Sequence, residues 1–197
     1  KKHPMSLLVG KKAPEFTAKA IINGGELVND FGISQYEGSK YVLLFFYPKD
    51  FSGVCPIEMH EFQANLAEFE KRNVQLIACS TDTDSAHQAW LKLSKANGGI
   101  QGITYPIIAD LNKTISHNFD VLHGDWTYDE EGQLHAEGDR IALRGTFLID
   151  RQGIVRYQSV NFFTVMRHVD DILREIDAWQ YFEERGEVCP LNYVRGK

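Results

Sequence analysis

The chain has 197 residues, a formal net charge of −6 and a pI near 5.6, with 43% hydrophobic and 24% charged residues. That length fills one well-packed core, and the balance is that of a globular domain rather than a disordered chain. The acidic surplus carries no basic stripe, which argues against nucleic acid as a partner, and no apolar run reaches the length of about 18 residues that a membrane-spanning helix needs.

The N-terminus reads Lys1-Lys2-His3-Pro4-Met5, with no apolar signal core behind it. Met5 reads as a natural start and residues 1–4 as the remnant of a tag. A single domain is expected over residues 5–197, its last stretch, 186–197, forming a C-terminal tail. Residues 41–47 read as a fully buried strand, ended by Pro48. After the loop 49–53, Met59, Phe62, Leu66 and Phe69 recur at spacings of three and four, which predicts an amphipathic helix from about Val54 to Arg72. Residues 74–80 form a second apolar strand. Asp84 is placed to cap a helix running to about Ala96. Residues 105–109 are a third strand and Asn112–Phe119 a short helix. The polar segment 120–143, rich in Gly, Asp and Glu, reads as a surface loop or small hairpin. Residues 145–150 and 154–159 pair about the turn Arg151-Gln152-Gly153, and a long helix runs from about Val165 to Arg185. This order implies a mixed sheet with helices on both faces.

Three cysteines, Cys55, Cys79 and Cys189, are too few and too widely spaced for a secreted disulfide framework, so a reducing, cytoplasmic setting is the expectation. Cys79 sits inside an apolar strand and reads as a buried, inert side chain. Cys55 is different. It falls where a strand hands the chain through a loop into a helix, and Pro56 suits the first helical turn because its missing N–H has no partner there. Orphan N–H groups and the positive end of the helix favour a thiolate. A free thiol of pKa about 8.5 is only a few per cent ionised at neutral pH, and making the thiolate dominant takes roughly 2.7 kcal/mol. A helix terminus gives about 0.3–1 kcal/mol and at best about 2. A nearby cation is therefore required. His60, one turn on, invites a metal reading as Cys-x4-His, but no further pair stands at zinc-ligand spacing, so neither metal nor cofactor is expected. His87, His117, His123, His135 and His168 are scattered and read as exposed. Trp90 reads as packing rather than substrate contact.

Pro48, Ser52 and Cys55 form Pro-x-x-x-Ser-x-x-Cys, which closely resembles the active-site signature of peroxiredoxins. The wider FFYPKDFSGVCPIE is similar to the two-cysteine branch, which includes the peroxidase subunit of bacterial alkyl hydroperoxide reductase. The resemblance extends over about Leu7–Tyr193 through VGKKAPEFTAKA, STDTDSAHQAW, ALRGTFLIDRQG and GEVCPLNY. It implies a thioredoxin-like fold and a peroxidase acting on hydrogen peroxide and organic hydroperoxides in antioxidant defence. Cys55 takes the place of the peroxidatic cysteine, Ser52 of the hydroxyl that bonds sulfur and peroxide, and Pro48 of the residue shielding the sulfur. Arg144 takes the place of the pocket arginine; Arg140 is the nearest substitute, and without the resemblance Arg144 would read as a surface residue. Glu58 and Arg167 match a supporting ion pair, otherwise two exposed helix charges of little worth. Cys189 matches the resolving cysteine, which attacks the partner subunit's sulfenic acid, so the resemblance implies a homodimer and allows a decameric ring. Thioredoxin or a flavoprotein disulfide reductase would reopen the disulfide. Gly98-Gly99-Ile100-Gln101-Gly102 is an imperfect copy of the loop found in over-oxidation-sensitive members, and no C-terminal Tyr-Phe helix follows Cys189. Both features imply fast resolution and resistance to over-oxidation. A thioredoxin-type oxidoreductase is the rival enzyme, disfavoured because Ser52 stands where that class has the partner cysteine of Cys-x-x-Cys, so no local disulfide can close. An oligomeric chaperone or scaffold is the non-enzyme rival.

Overall fold

The computed structural model describes residues 7–196; the start at Met5 and the tag remnant at 1–4 lie outside them. In chain order the elements are β1 (Ala18–Ile22), β2 (Glu26–Phe31), β3 (Tyr41–Phe46), α1 (Cys55–Ala64), α2 (Leu66–Lys71), β4 (Val74–Ser80), α3 (Asp84–Lys92), β5 (Ile107–Ala109), α4 (Thr114–Asn118), β6 (Asp125–Tyr128), β7 (Leu134–Glu137), β8 (Arg144–Ile149), β9 (Val155–Asn161) and α5 (Val169–Arg185).

Seven strands form one sheet in the order β2-β1-β5-β4-β3-β8-β9. β3 pairs in parallel with β4, and β4 with β5; the remaining pairings are antiparallel. All six residues of β3 are buried, because the strand is central and both its faces are covered. Leu43 and Phe45 join a core with Met59 and Phe62 of α1, Phe69 of α2, Trp90 of α3 and Ile172 and Ile176 of α5. Val42, Leu44 and Phe46 face the other way, toward Ile115 of α4, Phe119 and Phe147. The mixed, thioredoxin-like sheet with helices on both faces is as the sequence implied. Among the described residues no helix is long and apolar enough to cross a membrane.

The differences are local and have physical causes. The strands β1 and β2 lie outside the elements expected from the sequence; they form a hairpin across Asn23 and Gly24, both in left-handed conformation. The helix expected over 54–72 is two helices, because Asn65 turns its side-chain amide onto the Glu61 carbonyl at 3.0 Å. α3 ends at Lys92 rather than Ala96 and is capped by Thr83, not Asp84: Thr83 Oγ1 accepts from the Ala86 N–H at 3.0 Å. α5 starts four residues later than expected. The Arg167 N–H is held by Glu58 Oε1 at 2.9 Å, so the chain stays extended through His168. Residues 120–143 do contain a small hairpin, β6–β7, whose eight strand residues are all exposed.

Candidate active site

β3 delivers the chain into a loop, residues 47–54, and α1 begins directly at Cys55, with Pro56 in its first turn. The Cys55 backbone N–H is one of the orphan donors of the helix start; it donates to Ser52 Oγ at 3.1 Å. Ser52 is half-buried, and accepting that bond leaves its own hydroxyl proton available to another acceptor. Pro48 is buried at the head of the same loop. Cys55 itself is 1% exposed.

The cation arrives along the sheet. Phe45 pairs with Thr146 in antiparallel register, so Arg144, at the start of β8, lies beside the end of β3 where the Cys55 loop departs. Its two terminal nitrogens sit 3.8 and 3.9 Å from Cys55 Sγ. Nε of Arg144 donates to the Phe163 carbonyl at 2.9 Å, and Nη1 also donates to Glu58 Oε2 at 2.8 Å. Arg140, the substitute considered for this place, is elsewhere: its guanidinium stacks on Trp126 at 4.7 Å and bonds the Gly124 carbonyl.

Glu58 lies three residues beyond Cys55, on the same face of α1. It receives Arg144 on one oxygen and Arg167 on both, with the Arg167 N–H and Nε each at 2.9 Å from Oε1. The two remaining Arg167 bonds go to the carbonyls of Phe46 and Gly145, at 2.9 and 3.0 Å. The Arg167 guanidinium also lies over the Phe45 ring at 4.9 Å. Glu58, Arg144 and Arg167 are buried, not exposed helix charges, and Arg167 precedes its helix. Burial works against the Glu58 charge, but the hydrogen bonds and charge of Arg167, then the charge of Arg144, outweigh it and hold the carboxyl below its ordinary range. Two guanidiniums against one carboxylate leave one positive charge in excess beside the sulfur. A thiolate at Cys55 brings the cluster to neutrality.

His87, expected on the surface, is fully buried, consistent with its spacing to Trp90 and Leu91 on the inner face of α3. His123 is half-buried, its ring against Phe163 at 5.0 Å. Trp90 is core, its indole N–H donating to the Gly98 carbonyl at 2.9 Å. His60 meets the Gly99 carbonyl at 3.0 Å and so ties α1 to the glycine-rich loop. The Phe163 carbonyl that orients Arg144 had no sequence signal, since any residue offers a carbonyl. Cys79 is buried in β4, and desolvation, then the Asp110 charge, push its thiol well above the usual value. Cys189 lies beyond α5 on the tail, half-exposed, with its thiol 3.6 Å from the Pro190 carbonyl; it and Cys55 are both free thiols in the chain.

A thioredoxin-like sheet presenting a lone thiol at a helix start beneath a guanidinium defines a thiol-based redox protein. The chain belongs to the AhpC/TSA family, whose profile matches residues 9–158. It is 44% identical over 192 residues to a thioredoxin peroxidase of Echinococcus granulosus, spanning 98% of this chain and 91% of that one. It is 38% identical to alkyl hydroperoxide reductase C of Buchnera aphidicola, over 96% and 89% of the two chains. Among solved structures, the reduced 2-Cys peroxiredoxin of Plasmodium vivax superposes with a TM-score of 0.85 at 40% identity, over 98% of this chain and 92% of that one.

Proposed function

We infer that the chain is a thiol-dependent peroxidase that reduces hydrogen peroxide and organic hydroperoxides through Cys55, in antioxidant defence. The observation that carries this reading is the two-pronged approach of Arg144 to a buried sulfur within a cluster one positive charge in excess. The Cys55 thiolate attacks the terminal oxygen of the hydroperoxide. An S–O bond forms as the O–O bond breaks, the sulfur is oxidised to a sulfenic acid, and the leaving alkoxide or hydroxide takes up a proton. Arg144 stabilises charge on sulfur before attack and on the leaving oxygen after it. The Ser52 hydroxyl donates toward the peroxide, Pro48 keeps water from the sulfur, and Glu58 with Arg167 holds Arg144 in place.

Resolution falls to Cys189 of a second subunit, whose thiol displaces water from the sulfenic acid and closes a disulfide. A sulfur–sulfur bond is about 2.05 Å long, and Cys55 is 1% exposed, so the first turn of α1 must open before the two sulfurs meet. A dithiol reductant, thioredoxin or a flavoprotein disulfide reductase, then returns both thiols. The proposal includes a homodimer, which can build a ring of five, and a cytoplasmic location. The test is peroxide consumption with a recycling dithiol. Wild type turns over and Cys55→Ser does not; turnover surviving in Cys55→Ser removes this reading.

A further inference from the structure

Behind the loop that carries Ser52 lies a second buried polar cluster, which the peroxidase chemistry does not yet use. Asp50 is its centre. Tyr47 donates its phenol proton to Asp50 Oδ1 at 2.7 Å, and His87 Nδ1 meets Asp50 Oδ2 at 2.7 Å. His87 Nε2 lies 3.2 Å from the Ile108 carbonyl, which can only accept, so Nε2 carries a proton and anchors the ring to β5. The Asp50 backbone is fixed as well: its N–H donates to Asp82 Oδ2 at 2.8 Å. Tyr47 and His87 are fully buried and Asp50 nearly so. Burial, then the charge and hydrogen bond of Asp50, push the Tyr47 phenol well above its usual value, so it stays a donor.

Three polar side chains in a core cost desolvation that an apolar trio would avoid, so their presence asks for a function. Their place supplies one. The residue after Asp50 is Phe51, a bulky side chain in left-handed conformation at φ +53°, a strained backbone that must be held by its surroundings. Its ring lies 5.9 Å from that of Trp90, on the same helix as His87. The next residue is Ser52, whose Oγ meets the Cys55 N–H. The rigid anchor, the forced kink and the reacting hydroxyl are thus consecutive in the chain.

We propose that Asp50, clamped between Tyr47 and His87, is a positioning residue that aims the Ser52 hydroxyl into the peroxide pocket. This rests on the peroxidase reading of Cys55. Asp50 touches neither sulfur nor substrate; it acts through Phe51 and Ser52. The Cys55–Arg144 pair is held from the other side, by Phe163 and Glu58, and is independent of the clamp.

The test compares two reactions of the same sulfur in the full-length, reduced protein. Oxidation by hydrogen peroxide needs the aimed hydroxyl; alkylation by iodoacetamide needs the ionised sulfur and access to it, but not the hydroxyl. Asp50→Ala slows oxidation by about tenfold to a hundredfold, the scale of a misplacement near 1 Å, and leaves alkylation within about twofold. Asp50→Asn restores oxidation to within about threefold, because an amide oxygen can accept from Tyr47 while the amide nitrogen faces His87 Nδ1. In a Ser52→Ala background Asp50→Ala adds less than about twofold, since the two residues act through one interaction. If circular dichroism shows Asp50→Ala unfolded, Tyr47→Phe is read instead, with the same selective loss at several-fold. Oxidation unchanged in folded Asp50→Ala or Tyr47→Phe, equal slowing of both reactions, or additivity with Ser52→Ala each overturn the proposal. A wild type that does not react with peroxide at all instead overturns the peroxidase reading.

Discussion

Arg144 faces Cys55 with both terminal nitrogens of its guanidinium, 3.8 and 3.9 Å from the sulfur, while Nε is committed to the Phe163 carbonyl and Nη1 is shared with Glu58. The fork is thereby fixed in plane and direction before any substrate enters. Such preorganised donors act where charge develops, and losing one costs roughly a hundredfold to a thousandfold. Arg144→Lys keeps the charge but offers a point donor instead of a fork. Stopped-flow oxidation of reduced enzyme will show Arg144→Lys slower by about a hundredfold. A rate within a few-fold of wild type would mean that charge alone suffices.

Glu58 ties the two arginines together from within the core. Its carboxyl is held below the ordinary range by its guanidinium partners despite burial. A carboxyl lowered in this way stabilises the fold above the unfolded pKa, near 4.3, and that contribution fades as pH falls through the folded value. Glu58→Gln removes the charge yet leaves both guanidiniums buried, at a cost of about 3–5 kcal/mol at pH 7. Urea midpoints measured from pH 7 to pH 3 check this. The gap between wild type and Glu58→Gln is constant down to about pH 5 and narrows below it.

Resolution carries its own pair of expectations. After one equivalent of peroxide, a non-reducing gel shows a covalent dimer that is absent in Cys189→Ser. If the opening runs on into the second turn of α1, it also breaks the contact between His60 and the Gly99 carbonyl. A hydrogen bond of this kind is worth about 0.5–1.5 kcal/mol, so His60→Ala forms the dimer roughly twofold to tenfold faster. Less time as sulfenic acid means less sulfinic acid, read at Cys55 by mass spectrometry during turnover. Sulfinic acid accumulating in the wild type at low micromolar peroxide would contradict fast resolution.

The parts of this architecture that announce themselves in the sequence are those written locally. β3 and β4 are short unbroken apolar runs, and Cys55-Pro56 marks a helix start by the chemistry of its own two residues. β1 and β2 escape because one is only five residues long, Ala-Lys-Ala-Ile-Ile, and the other is largely exposed, so neither has a clear periodicity to read. Arg144 stands out only through the resemblance; in isolation nothing distinguishes it from a surface arginine. Its burial follows from the register of β8 on β3, a pairing across 101 residues between Phe45 and Thr146. His87 escapes for the same reason, since its partner Asp50 is 37 positions away and only the folded sheet brings them together. The late start of α5 is likewise decided from outside, by a carboxylate in α1 that captures the Arg167 N–H.

The peroxidase reading requires that Cys55, and no other thiol, takes oxygen from the peroxide. Cys189→Ser protein, given one equivalent of hydrogen peroxide and then a dione that captures sulfenic acids, isolates that step. Peptide mass spectrometry should find the adduct on Cys55, with buried Cys79 unmodified. An oxidised Cys79, or a Cys55 peptide free of adduct while peroxide is consumed, would contradict the account.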